Sequence, residues 1–228
     1  YAKIKKIEVK NVAGYSTSSV VQVGFSMIFY FVQKLDYYKN YVDQGKWQKS
    51  DIFTHIDKPF FELDGKKVGI IGLGEIGRNF AKKAKAFDCE VMYYSTSGRN
   101  SNSEYKQVSL DELLKTCDII TIHAPLNDDT KDLLNYENMK NIKDGAILLN
   151  LGRGGIINEA DLAKIIDEKE IYCGIDVVSV EPILDSNPLL SVKNKEQLLL
   201  LPHIGWSSVE ARNRLIEMVA QNIEDFIF

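Results

Sequence analysis

This sequence predicts a doubly wound α/β fold, a parallel sheet with helices on both faces, on three observations. Short apolar runs alternate with amphipathic segments from residue 68 onward. Each run is continuously apolar, as in strands covered on both faces, whereas a strand with one face in water would alternate. The first run, Val68-Gly-Ile-Ile71, leads through Gly72-x-Gly74-x-x-Gly77 into a helical pattern marked by Phe80, Ala81, Ala84 and Phe87.

Residues 20–32 are apolar on several sides, interrupted by Gln22 and stopped by Gln33 and Lys34. The run is too short to cross a bilayer, so it predicts a buried core helix that also meets a second subunit. Residues 39–66 are polar and aromatic, with Gly45, Trp47, Pro59 and Gly65. They predict a long connecting excursion over a neighbouring surface, with His55 at a surface or interface. Strands are expected at 68–71, 90–94, 118–122, 146–150, 173–177 and 198–201. Ser109-x-x-Glu112 is a capping-box pattern that opens a helix over 110–116. Asn158 caps another over 159–168, with Leu162, Ile165 and Ile166 inward. Ser207-x-x-Glu210 opens the last helix, whose apolar stripe is Ala211, Leu215, Val219 and Ile223, with Phe226 beside it.

A length of 228 residues suits one large α/β domain, or one domain and a piece of another. Apolar residues make up 45%, enough for a sizeable core. The net charge of −4 argues against a general nucleic-acid binder, and the lysines at 3, 5, 6 and 10 read as a solvated face. Cys89, Cys117 and Cys173 are odd in number and far apart, with no zinc spacing and no C-x-x-C. That pattern suits a reduced, cytoplasmic setting and no metal site. No membrane span or secretory signal is predicted.

In a doubly wound sheet, ligands bind beyond the carboxyl ends of the strands. At the glycine turn, Gly72 lets the chain turn sharply and Gly74 lets a pyrophosphate approach the backbone. Gly77 lets the helix pack close to the strand, and the helix N-terminus offers free N–H groups. The turn therefore predicts a Rossmann-type dinucleotide site; the plainer alternative is a tight strand–helix turn. Arg153, in Asn150-Leu-Gly-Arg153-Gly-Gly, is suited to hold a carboxylate with two parallel bonds, unless it is an ordinary surface arginine. Asp176 ends a strand and Glu181 lies in the next loop; singly, each reads as a solvated carboxylate. His203 follows a four-leucine run and is of the acid–base type. A nucleotide could lie against the proline-closed strand end His123-Ala124-Pro125, where His123 itself reads as structural. Arg153, Glu181 and His203 gain meaning as a set. A 2-keto acid needs a cation for its carboxylate, a proton donor for its carbonyl, and a carboxylate that keeps the donor protonated.

On these marks, with Gly174-Ile-Asp176-Val, Glu181-Pro182 and Pro202-His203-Ile-Gly205-Trp206, the chain resembles the NAD(P)-dependent D-isomer-specific 2-hydroxyacid dehydrogenases. The likeness runs from about residue 7 to the C-terminus. It implies catalytic roles for Arg153, Glu181 and His203. It implies cofactor contacts at Gly72, Gly74, Glu75, Ile76 and Gly77, and at Ser95, Thr96 and Arg99 after the second strand. Ala124, Pro125 and Thr130 would lie on the adenosine side, with Leu151, Gly152 and Arg153 nearby. Asp176 would face the nicotinamide carboxamide, and His203, Gly205 and Trp206 would complete the site. Trp206 after His-x-Gly resembles members that act on glycerate and hydroxypyruvate. The likeness also implies a homodimer through residues 20–32.

Two departures qualify the likeness. The family has a longer N-terminal substrate-domain segment, and only residues 1–11 fit its tail. Residues 12–206 would then be the dinucleotide-binding domain, and 207–228 a helix packing toward the substrate domain. This chain alone would hold substrate from one side and turn over poorly. The second departure is Tyr94-Ser95-Thr96-Ser97-Gly98-Arg99-Asn100, which has no acid where the family carries one for the ribose hydroxyls. A 2′-phosphate is then not repelled, and Arg99 with the hydroxyls can bind it, so the reading leans to NADP over NAD. The alternative is an NAD site that uses serine and water. The function expected is hydride transfer between the nicotinamide and C2 of a small D-2-hydroxy or 2-keto acid. Its rivals are a nucleotide-sensing, corepressor-like binding protein and an inactive cofactor-binding fragment.

Overall fold

All six expected strands form, within two residues of their expected ends, in the computed structural model, which describes residues 1–98 and 102–227. They are β1 (Lys67–Ile71), β2 (Glu90–Tyr94), β4 (Ile119–Ile122), β5 (Ile147–Asn150), β6 (Tyr172–Ile175) and β7 (Leu198–Leu200). A seventh, β3 (Lys106–Gln107), is two exposed residues, too short to leave a periodic signal. The helices are α1 (Thr17–Gln33), α2 (Leu35–Asp43), α3 (Glu75–Lys85), α4 (Leu110–Thr116), α5 (Tyr136–Met139), α6 (Glu159–Glu168) and α7 (Val209–Ile227).

The strands make one sheet in the order β3-β2-β1-β4-β5-β6-β7, every pair parallel. The order reverses at β1. Register aligns Tyr94, Ile71, Ile122, Asn150, Ile175 and Leu200 along one edge. Every segment expected to carry chemistry follows one of these six residues. Successive side chains of a strand face opposite ways. Ile70 and Leu149 therefore join the core under α1 and α3, while Ile71 and Leu148 join the core under α4, α5 and α6.

Helix α1 is a core helix, as expected, but its breadth has an internal cause. Val21, Met27 and Ile28 are buried against the chain's own sheet, and Phe25 stacks on Phe80 of α3 at 4.6 Å. A Cβ on Gly24 would lie 2.8 Å from the Phe80 ring, so only glycine allows this approach. Within residues 20–32, Tyr30 stays exposed and Val23 and Phe29 are half-buried, so part of the helix still faces outward. Exposed apolar groups also crowd the excursion: Trp47, Ile52, Phe53, Ile56, Phe60 and Phe61. His55, expected at a surface or an interface, is half-buried there. Tyr41 lies parallel to its ring at 3.7 Å, and the Tyr37 hydroxyl meets its Nε2 at 2.8 Å.

The cap patterns hold in part. Ser109 Oγ accepts from Glu112 N–H at 3.1 Å, but the Glu112 side chain pairs with Lys106 instead of returning to the cap. Asn158 caps α6 through Asp161 N–H at 3.1 Å. For α7 the cap is Ser208, which accepts from Ala211 N–H at 3.2 Å. Ser207 instead donates to the Ile204 carbonyl, because it still belongs to the turn after His203. Of the α7 stripe only Ala211 is buried. Val219, Ile223 and Phe226 stay open beside Ile7 and Val12, in a groove of about 710 Å³. Among the described residues no helix is long and apolar enough to cross a membrane.

Candidate active site

The three glycines of the β1–α3 turn have three distinct surroundings. Gly72 has φ of 92°, and a Cβ there would lie 2.9 Å from the Ala124 nitrogen, so it suits both the turn and the approach of the β4 end. A Cβ on Gly77 would lie 2.3 Å from the Gly72 carbonyl oxygen. Gly74 has nothing within 4 Å of its Cβ position. That opening lies at the start of α3, where Gly74 is the cap residue and no side chain caps the helix. The first N–H groups of α3 are thus left for an anion. Glu75 and Ile76 supply two of them as backbone. The Glu75 carboxylate is occupied by the Thr17 hydroxyl at 2.8 Å, which ties α3 to α1.

After β2, Ser95 is buried and its hydroxyl has no partner among the described residues, and Thr96 is half-buried. Arg99 lies outside the described residues. At the end of β4, Ala124 is buried and Pro125 exposed. Thr130 is fully buried, its hydroxyl donating to the Pro125 carbonyl at 2.7 Å and accepting from Asn127 N–H at 2.8 Å. It shapes the loop and has no surface of its own to offer a ligand. His123 donates its backbone N–H to Ile71, and its Nε2 meets the Thr121 hydroxyl at 3.0 Å. Burial pushes its pKa down to about 3, which suits the structural reading.

The turn after β5 is braced by the side chain of Asn150. Its Oδ1 accepts from Gly152 N–H at 3.1 Å and its Nδ2 donates to the Arg153 carbonyl at 3.0 Å. A buried asparagine ending an apolar strand was the available signal. Leu151 and Gly152 are buried, while Arg153 is exposed and donates from Nη1 to the Gly152 carbonyl at 2.7 Å. Among the described residues no carboxylate pairs with Arg153. Gly154 packs backbone on backbone against the next loop, since a Cβ there would fall 2.0 Å from the Val178 carbonyl carbon.

Glu181 and His203, 22 residues apart, do meet. The His203 Nδ1 is 2.7 Å from Glu181 Oε2, with each side chain a little over a third exposed. A carboxylate at Nδ1 requires a proton on that nitrogen and leaves Nε2 for another partner. His203 has φ of 51°, an uncommon conformation for a side-chain-bearing residue. Asp176 holds the chain just beyond it, accepting from the Ile204 and Gly205 N–H groups at 2.8 Å each. Burial raises the Asp176 pKa, and those two bonds oppose the rise. Trp206 is half-buried, with the Tyr15 ring edge-on at 6.4 Å. A cavity of about 610 Å³ opens beside the pair, walled by Pro182, Ile183, Leu200 and Leu201.

Other chemistry is poorly served. The three thiols are buried, which pushes Cys89 and Cys117 up to about 11 and Cys173 higher still, so none suits a nucleophile. An open glycine, an uncapped helix N-terminus and an unpaired buried hydroxyl along one sheet edge do fit a dinucleotide.

Residues 25–205 match the family model described as D-isomer specific 2-hydroxyacid dehydrogenase, NAD binding domain. The chain belongs to that family. It is 38% identical to a hydroxypyruvate reductase of Blautia hydrogenotrophica, over 99% of this chain and 70% of that one. It is 34% identical to a glycerate dehydrogenase of Methylorubrum extorquens, again over 99% and 70%. Among solved structures it is similar to an acyclic imino acid reductase in complex with NADPH and D-Arg (TM-score 0.84, 30% identity, 99% and 70% covered). A D-lactate dehydrogenase from Aquifex aeolicus with NAD and lactic acid is also similar (TM-score 0.86, 26% identity, 100% and 71% covered). This family member thus carries the family's NAD-binding domain over most of its length, residues 25–205.

Proposed function

We propose that this chain interconverts a small D-2-hydroxy acid and its 2-keto acid, with hydroxypyruvate and glyoxylate the first substrates to try. The observation that carries the reading is the 2.7 Å contact between Glu181 and His203 at the same sheet edge as the glycine turn. A bound nicotinamide supplies or accepts the hydride. His203 gives a proton from Nε2 to the carbonyl oxygen in reduction and takes it back in oxidation. Glu181 stabilises the imidazolium and fixes the ring through Nδ1. Arg153, free of any carboxylate partner among the described residues, binds the substrate carboxylate and polarises the carbonyl beside it. Asp176 keeps the turn beyond His203 in place.

Two finer readings accompany this. Ser95, with no carboxylate at 95–98 and an unpaired buried hydroxyl, favours acceptance of NADPH at least as well as NADH. The exposed aromatic groups of the excursion, together with Tyr30 of α1, favour self-association as a dimer, which sedimentation of a Phe53→Ser, Phe60→Ser variant tests. The main test is a panel of 2-keto acids with NADH and NADPH. Reduction of none of them, with cofactor bound, would reject the enzymatic reading.

A further inference from the structure

Glu159 opens α6 on the far side of the loop that carries Glu181, and the acid–base pair does not touch it. All three hydrogen bonds its carboxylate accepts come from that loop. Oε1 accepts from Ser179 N–H at 2.5 Å, and Oε2 accepts from the Ser179 hydroxyl at 3.0 Å and from Asn187 Nδ2 at 2.7 Å. One side chain thus clasps the two ends of the 178–187 loop. The helix does not require it, because Asn158 already caps α6 and Asp161 also lies in the first turn.

The clasp leads directly to the acid–base pair. Val178, next to Ser179, donates its N–H to Glu181 Oε1 at 3.1 Å, and Glu181 Oε2 holds His203 Nδ1 at 2.7 Å. Beneath them Gly154 presses on the Val178–Ser179 peptide, so the Arg153 turn and the Glu181 loop share one backbone contact. Glu181 is more than a third exposed, and among the described residues no other bond holds its carboxylate. Its position therefore depends on the loop.

We propose that Glu159 is a positioning residue that fixes the 178–187 loop, so that Glu181 stays on His203 Nδ1 and His203 presents Nε2 to the substrate. This rests on the acid–base reading of Glu181 and His203. A glutamine at 159 keeps the length but has one acceptor oxygen, and its amide group must face at least one of the three loop donors. The loop then loosens, and the carboxylate that favours imidazolium spends less time on the ring. Asp176 also acts electrostatically on His203, and Glu159 makes no hydrogen bond to it among the described residues.

The test compares Glu159→Gln, Glu181→Gln, the double variant and His203→Ala, using hydroxypyruvate reduction across pH, cofactor Kd and thermal melting. Glu159→Gln is expected to lower kcat on the order of ten- to a hundredfold, as misplacement of a reacting group does. Reduction should fade at lower pH than in the wild type, in the direction of Glu181→Gln, while cofactor Kd stays unchanged. The double variant should be no worse than Glu181→Gln alone, because both act through one contact. A wild-type pH profile in Glu159→Gln, or losses that multiply in the double variant, would overturn the proposal. If Glu159→Gln does not fold, Ser179→Ala removes one clasp bond from an exposed residue. It should move the profile the same way by less, and an unmoved profile would count against the clasp. Retained turnover in His203→Ala would instead reject the underlying acid–base reading.

Discussion

The glycine turn and the acid–base pair share one edge of the sheet, yet they are built in opposite ways. The turn uses backbone only. Its working parts are the shape of residues 72–77, an open position at Gly74 and the uncapped start of α3. All of that comes from six consecutive residues. The acid–base pair uses side chains from two distant loops, and each needs outside support. His203 sits in a strained backbone turn held by Asp176, and Glu181 sits in a loop held by Glu159. A site that binds phosphate through N–H groups can be local, because a helix end already supplies them. A site that moves a proton needs two groups at bonding distance, and only the tertiary fold can bring them there.

The comparison is broken most sharply at His203. His203→Ala should cut turnover roughly a hundred- to ten-thousandfold, the range for a positioned proton donor, with cofactor affinity nearly unchanged in a fluorescence titration. A parallel loss of cofactor binding would mean the two halves are not separable. The converse variant is Gly77→Val, whose Cβ meets the Gly72 carbonyl. It should abolish dinucleotide binding and cost about 1–3 kcal/mol of stability in urea unfolding, as overpacking does. Normal cofactor affinity in that variant would remove the turn from the binding site.

A smaller effect distinguishes the two histidines by pH. His123 lies beside the glycine turn with its pKa depressed to about 3, while an unfolded histidine titrates near 6.5. Between those values the unfolded chain binds one more proton. Stability contributed by the neutral ring is therefore present above pH 6.5 and is lost as pH falls, by at most about 1.4 kcal/mol per pH unit. The residue keeps partial exposure, so the slope should fall short of that bound. His123→Asn should flatten the acid side of the stability curve without moving the pH dependence of reduction. A change in the reduction profile instead would tie the buried histidine to the chemistry. The smallest expected effect is on cofactor choice. Ser95→Asp should shift the NADH-to-NADPH preference toward NADH by about tenfold, equivalent to about 1.4 kcal/mol of lost phosphate affinity. An unmoved ratio in competition kinetics would show that Ser95 does not face a 2′-phosphate.

Much of this protein was already legible in its sequence. Continuous apolar runs located six strands, because strands buried on both faces admit few polar residues. The glycine spacing locates the turn, and the motifs around Arg153, Glu181 and His203 mark those residues without any geometry. The cap of α7 is Ser208 and not the expected Ser207, since the two serines are alike in sequence until the turn after His203 takes one of them. Helix α1 reads as both core and subunit contact, and its own sheet covers most of that breadth, a division that hydropathy alone cannot make. The partial cover of His55 comes from Tyr37 and Tyr41, well before it in the chain, so its sequence leaves surface and interface both open. Asn150, Asp176 and Glu159 show the same divide at the site. Their residue types could be read, but not their roles as braces. Local sequence set the periodicity, the turns and the chemical groups, since these depend on neighbours along the chain. Which groups meet, and which carboxylate holds which loop, depends on contacts across 20 and more residues, and those exist only once the sheet has formed.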